Sequence, residues 1–370
     1  MSIQKLSLLF VGAFPQLGKK VYGGNITDCK TLFDAGFAKH FDLILLDSTQ
    51  RSVPASSFLQ RLFDSLKRSW KYIGLVALLR PDSILIFTAA GFSFFEKSLF
   101  VAFGHFLSSR VLLFPRGGRL MDDCRRKKFY SRFVQFMLRF PDVLLCQAEV
   151  WRNFFINEMN LSPVKCIILK NWTATPSLLQ IGTRRTYDAQ ERLRILFLGW
   201  VYRTKGIFEL IDAFSILYSR FPKLELLIAG EGEVSNEARK YVVQKGLNAV
   251  TNFLGWINEE RKLKVLSDAT IFCLPSYVEG LPNAMIEAMA AGLPVVVTPV
   301  GAIPNVICDR KNGLIVPVRE SHSLALGLEE LIVNPALRRR LGRCAHRTAK
   351  RNHSVGQAVV QLAKLVTNLK

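Results

Sequence analysis

One segment, LPSYVEGLPNAMIEAMAAGLPVVV at 274–297, constrains the fold more than any other part of the chain. Ile271–Leu274 is a brief apolar run of the kind needed by a parallel strand covered on both faces. Pro282 suits the first turn of a helix, where its missing N–H costs nothing. Residues 283–291 are good helix formers, Gly292 supplies the stop, and 293–298 is the next buried strand. The segment therefore predicts strand, tight loop, helix, strand. A helix that starts there presents unpaired N–H groups and a positive dipole end at the edge of a parallel sheet, a seat for phosphate. Glu279 sits on the loop before the helix, and Glu287 lies about one turn into it, where a carboxylate can reach a sugar hydroxyl.

The same β/α alternation runs through the second half. Leu193 opens a strand, a helix begins after Gly206, 224–229 is a strand leading into Gly230-Glu231-Gly232, and 250–254 is a strand ending in Gly255-Trp256. This is the pattern of a doubly wound α/β domain. The first half reads similarly, with strands at 6–11, 41–46, 82–87, 111–114, 142–147 and 164–169, and helices at 26–40, 54–79 and 92–107. The run at 6–11 resembles a signal-peptide core, but Pro15 ends it and no small-x-small cleavage site follows, so a first strand is the better reading. Gly23-Gly24, after the loop at 12–25, is a second place where backbone can approach a phosphate. Residues 173–191 lack hydrophobic periodicity and read as an interdomain linker. The expected division is 1–175 plus a closing helix at 353–370, and 176–352.

The formal net charge of +21 calls for anionic partners. The richest basic stretch is 117–140, where Arg125, Arg126, Lys127, Lys128, Arg132 and Arg139 interleave with Phe129, Tyr130, Phe133, Phe136 and Phe140. At helical spacing, 125–140 suits an anionic membrane surface, with a core-facing helix and solvated basic side as the plainer alternative. No helix-turn-helix, zinc-finger or RNP motif points to nucleic acid. No Asp-x-Asp in strand context points to a metal, and no cofactor is implied. The seven cysteines are scattered without a C-x-x-C pair, which fits a reducing, cytoplasmic setting, with peripheral attachment at the inner face of the membrane an option.

From Pro275 to Val296 the chain resembles the signature P-S-x-x-E-G-[FL]-x-x-x-x-x-E-A-M-A-x-G-x-P-V-V of the family 4 retaining glycosyltransferases. The likeness covers about 190–350 well and the first half in outline. It implies the GT-B fold: two Rossmann-like doubly wound domains facing a cleft, with a C-terminal helix crossing back to the first. It implies transfer of a sugar from a UDP- or GDP-linked nucleotide-sugar donor to a glycan or lipid-linked acceptor, in polysaccharide or lipopolysaccharide biosynthesis. On this likeness Glu279 lies near the donor sugar, Glu287 binds the ribose, and the loop Gly280, Leu281, Pro282 and Asn283 lies around the diphosphate, its N–H groups donated by the residues other than Pro282. Lys205 matches the lysine of a G-R-x-x-x-x-K-G motif, whose arginine is here Trp200; Arg203, three residues on, is a candidate replacement or a solvated loop arginine. Gly230, Gly232, Trp256 and Ile257 are implied at the nucleotide base, Gly23 and Gly24 at a phosphate, and Arg116 on the acceptor side, where relatives carry a histidine. Asn305 stands where relatives carry a glutamate. Retention would let a donor phosphate oxygen take the acceptor proton, so no dedicated base is required. Two other readings stay open: a GT-B-like sugar-nucleotide epimerase without an acceptor, and a non-catalytic basic membrane- or nucleic-acid-binding protein.

Overall fold

Two parallel six-stranded sheets, each wrapped by helices, organise the described part of the chain. The computed structural model describes residues 5–14, 23–49, 57–107, 109–187 and 193–367. Parts of the expected loop at 12–25, the expected helix start at Pro54, the end of the expected linker and the last three residues of the closing helix lie outside them. The chain divides into two compact units, Met1–Asn171 with Val355–Lys370, and Trp172–Ser354.

In the first unit, in chain order, β1 is Ser7–Gly12, α1 Gly24–Asp34, β2 Asp42–Asp47, α2 Phe58–Leu79, β3 Ser83–Thr88, α3 Phe92–Phe106 and β4 Arg110–Pro115. Then come α4 at Arg119–Arg126, α5 at Lys128–Met137, β5 at Val143–Cys146, α6 at Glu149–Asn153 and β6 at Cys166–Ile168. The strand order is β2-β1-β3-β4-β5-β6, all neighbours parallel. Every residue of β3 and β5 is buried, as a strand covered by helices on both faces must be. The basic stretch expected as one helix over 125–140 is broken: Lys127 is extended (φ −125°, ψ 96°) and separates α4 from α5.

The second unit opens with α7 at Pro176–Arg184, inside the segment expected to be the interdomain linker. Thr175 caps it by accepting the Leu178 N–H at 3.4 Å, and Pro176 fills its first turn. This cap-and-proline start was readable, but three buried or half-buried apolar residues are too few to show a period. The unit continues with β7 Leu193–Leu198, α8 Ile207–Tyr218, β8 Leu224–Ala229, α9 Ser235–Gln244, β9 Thr251–Gly255, α10 Glu259–Asp268 and β10 Ile271–Leu274. It ends with α11 Asn283–Ala290, β11 Val295–Val297, β12 Leu314–Ile315, α12 Ser321–Val333 and α13 Pro335–Asn352. The sheet order is β12-β11-β10-β7-β8-β9. Consecutive strands step one way from β7 and the other way from β10, so the order reverses between this adjacent pair. In such sheets the crevice beyond the strand ends at the reversal is where ligands bind. The last helix, α14 at Val355–Thr367, belongs with the first unit, where it touches α1 and where Gln361 donates to the Ile168 carbonyl at 2.8 Å.

Candidate functional site

The reversal point brings together the loops after β7 and β10. The β7 loop carries Arg203 and Lys205 in a single 3-10 turn, and Gly206 follows with φ +69°. A Cβ on Gly206 would stand 2.1 Å from the Pro275 carbonyl oxygen, so the close approach of the two loops needs glycine there. The Tyr277 N–H completes the join by donating to the Thr204 carbonyl at 2.8 Å. On its other side the β10 loop is braced by the turn after β11. Ala302 N–H donates to the Gly280 carbonyl at 2.7 Å, and a Cβ on Gly301 (φ +57°) would meet the Glu279 carbonyl oxygen at 2.2 Å.

These clamps fix two carboxylates. Glu279 Oε1 accepts from Lys205 Nζ at 2.5 Å and from Ser276 Oγ at 2.8 Å, and the Ser276 carbonyl in turn accepts from Thr298 at 2.5 Å. Glu287, in the second turn of α11, is only 5% exposed. Its Oε1 accepts from Lys262 Nζ of α10 at 2.8 Å, and Lys262 also meets Glu259 at 3.0 Å. Burial works against the Lys262 charge, but the two glutamates outweigh it and hold its pKa above the ordinary lysine value. Pro282 stands just outside α11, as its N-cap with β-region φ and ψ, instead of inside the first turn. No side chain caps this N-terminus.

The remaining predicted residues fall in four places. The Arg203 guanidinium pairs with Glu237 of α9 and lies 4.8 Å from the centre of the Phe208 ring. Gly230 and Gly232 hold the β8 loop against the β7 loop, where a Cβ would meet the Gly199 oxygen at 1.8 Å and the Val201 oxygen at 2.4 Å. Trp256 meets Trp200 edge to face at 4.6 Å, and Trp200 stacks on Tyr202 at 5.4 Å. The position where the motif predicts arginine is thus the middle of an aromatic cluster, half-buried, and Ile257 follows Trp256 in the chain.

Gly23, Gly24 and Arg116 belong to the first unit. Gly23 is the N-cap of α1, with φ 154°, and its carbonyl accepts from Ile26 and Thr27. Arg116, expected on the acceptor side, has a side chain only 3% exposed. It pairs with Asp28, donates to Asn171 Oδ1 at 2.8 Å and lies 4.7 Å from the Phe114 ring centre. Burial this deep keeps a guanidinium only with its charge matched, and α1 supplies the match.

Sequence reasoning missed Lys262, Ser276 and the Tyr277–Glu209 hydrogen bond. Burial first, and Glu209 second, push the Tyr277 hydroxyl up to about 12. Lys262 had one local signal, its i+3 spacing from Glu259, but nothing local links it to Glu287 on another helix. Among the described residues no group of three or more His, Cys, Asp or Glu could hold a metal ion.

Comparison with known proteins adds a family likeness in the second unit. The description "Glycosyl transferases group 1" matches residues 184–348. The lipopolysaccharide core biosynthesis glycosyltransferase LpsE of Rhizobium meliloti is 26% identical over 181 residues, 49% of this chain and 52% of that protein. Across the first curated relatives the matched stretch is 39% to 52% of their length, so the chain spans about half of them or less. Sucrose-phosphate synthase from Thermosynechococcus elongatus shares the fold with a TM-score of 0.77 at 17% identity, covering 99% of both chains. Anabaena HepE in complex with UDP and glucose has a TM-score of 0.73 at 15% identity, covering 98% of this chain and 100% of that one. Identities this low speak for the fold, which is of the GT-B class. The match spans nearly the whole of Trp172–Ser354, and that unit is similar to the group 1 glycosyl transferases.

Proposed function

We propose that the protein is a retaining glycosyltransferase that moves a sugar from a nucleotide-sugar donor, UDP- or GDP-linked, to a glycan or lipid-linked acceptor of cell-surface polysaccharide or lipopolysaccharide. The observation that carries this reading is the Lys205–Glu279 contact, made across the strand-order reversal between the loops after β7 and β10. It lies inside the segment that matches the family. The LpsE name supports the pathway class, and the HepE complex with UDP and glucose supports the donor class.

In this reading the diphosphate lies against the uncapped N-terminus of α11, where the first-turn N–H groups and the helix dipole favour negative charge. Lys205, held nearby, stabilises the charge that gathers on the diphosphate as the glycosidic bond breaks. Glu279 keeps Lys205 extended over the loop before the donor arrives and faces the sugar afterwards. Glu287, fixed by Lys262, offers a carboxylate to the ribose. Trp200 and Trp256 form an apolar wall for the base. The acceptor hydroxyl attacks from the face that the diphosphate leaves, and a donor phosphate oxygen takes its proton. Division 1–175 with 353–370, acceptor-binding, against 176–352, donor-binding, belongs to the same proposal, as does work at the inner face of the cytoplasmic membrane.

A thermal-shift series with UDP, GDP and their hexose conjugates tests donor binding, since a ligand that binds only the folded state raises apparent stability. A melting temperature unmoved by every nucleotide would remove the donor site. Product analysis with donor alone separates transfer from epimerisation.

A further inference from the structure

The first unit carries an apolar face that its own fold leaves open. α2 spans 22 residues, about 33 Å at 1.5 Å per residue. At about 100° per residue, Phe58, Leu59, Leu62, Phe63, Leu66, Trp70 and Ile73 fall within an arc of about 140° on it. All seven are exposed, with Leu59 at 76%, Phe63 at 68% and Trp70 at 75%. Helices ordinarily turn such an arc inward, but α2 cannot. Its opposite side is already pinned: Arg68 pairs with buried Glu96 of α3 at 2.6 Å, and Tyr72 stacks on Phe100 at 4.3 Å while donating to its carbonyl at 2.7 Å. Rotating the arc into the core would uncover the Glu96–Lys97 pair, whose groups are nearly fully buried.

The face continues across neighbouring helices. The Phe58 ring lies 6.4 Å from Phe92 at the start of α3, and Phe95 of α3 stacks at 5.4 Å on Phe133 of α5. On α5, Phe129 is 88% exposed and Phe136 more than half exposed, flanked by exposed Lys128 and Arg132. On α2, exposed Lys67 lies about 40° beyond the edge of the arc and exposed Lys71 about 80° beyond it. Folded monomers rarely expose apolar area on this scale without a use for it.

The geometry points to a docking face for an anionic lipid bilayer, formed by α2 and continued by α3 and α5. Aromatic and leucine side chains enter the acyl boundary, and the rim of lysine and arginine meets lipid phosphates. Charge decides against a second copy of the chain, because pairing this face with itself would bring two basic rims together in a protein of net charge +21. The surface expected from sequence at 125–140 is thereby a part of a larger one centred on α2. This inference does not depend on the transferase reading.

Flotation of the full chain with vesicles tests it. Vesicles of equal parts phosphatidylglycerol and phosphatidylcholine should bind at least about tenfold more tightly than pure phosphatidylcholine, and binding should weaken as salt rises. Leu59→Ser, Phe63→Ser and Trp70→Ser together should weaken binding at least about tenfold with an unchanged melting curve. Lys67→Glu with Lys71→Glu should erase the preference for the anionic vesicles. Quenching of tryptophan fluorescence by brominated lipid should fall sharply in Trp70→Phe, which also decides the matter if the triple variant does not fold. Undiminished binding or quenching in these variants overturns the inference. So does a concentration-dependent dimer that the α2 changes dissolve, in a protein that ignores vesicles.

Discussion

Replacing Lys205 with alanine isolates the cation on which the proposed chemistry rests. Its ammonium is 2.5 Å from Glu279 Oε1, and that carboxylate is almost buried, with Ser276 as its other hydrogen-bond donor. Losing the partner of a nearly buried charge costs about 1–3 kcal/mol, the lower end here because Ser276 remains. The melting temperature should therefore fall by a few degrees, without loss of fold. A charge-assisted hydrogen bond to a diphosphate is worth about 1.5–3 kcal/mol, or about 10- to 150-fold in affinity. Removing a preorganised charge from a transition state costs about 10²- to 10³-fold in turnover. Glu279→Gln should differ in sign. It keeps the Ser276 hydrogen bond, removes a negative charge beside the diphosphate, and frees Lys205, so UDP or GDP should bind as well or better while sugar transfer drops. Titration calorimetry with both nucleotides, beside initial rates of donor consumption, reads both effects. If Lys205→Ala binds nucleotide and consumes donor within about threefold of the parent, the assignment of Lys205 is wrong. If Glu279→Gln weakens nucleotide binding as Lys205→Ala does, the two act as one structural pair.

Other predictions follow from the same geometry. Gly301→Val places side-chain atoms against the Glu279 and Gly280 carbonyls at φ +57°, so it should cost about 2–4 kcal/mol in chemical denaturation and loosen nucleotide binding; a silent substitution would mean that the brace is dispensable. The raised pKa of Lys262 gives stability that is complete below the ordinary lysine value of 10.5 and is lost as pH rises through the higher folded value. Melting temperature should thus fall above about pH 10.5, and Glu287→Gln should flatten that fall while costing about 1–3 kcal/mol at neutral pH; an unchanged alkaline limb would dissociate Lys262 from Glu287. Arg116→Ala should destabilise the first unit by about 3–5 kcal/mol by stranding buried Asp28, and Arg116→Lys should recover only part of it, as denaturant titration will show.

Much of the second unit was legible because its signals are local. Short apolar runs, Gly292 after a helix and Pro282 before it are written in adjacent residues, and they placed β10, α11 and β11 within a residue or two. The pairing of Lys205 with Glu279 was not legible, since it joins loops 74 residues apart and depends on which strands are neighbours. The same reason hid Lys262 beneath Glu287. Arg203 and Arg116 show the same limit in their partners. Their positions after strands were right, but a basic side chain goes to the nearest carboxylate that the fold supplies, here Glu237 and Asp28, and sequence spacing does not reveal those partners. The basic stretch at 117–140 had the right composition for a surface, yet Lys127 divides it, and the larger exposed face lies on α2, whose periodicity looks the same whether its apolar arc turns in or out.

A crystal structure of the chain with UDP or GDP tests the central claim most directly. The account predicts the diphosphate against the first turn of α11, with Lys205 drawn from Glu279 toward a phosphate oxygen and Glu287 on the ribose. A nucleotide bound away from the β7 and β10 loops, or a diphosphate with Lys205 still locked on Glu279, would contradict it.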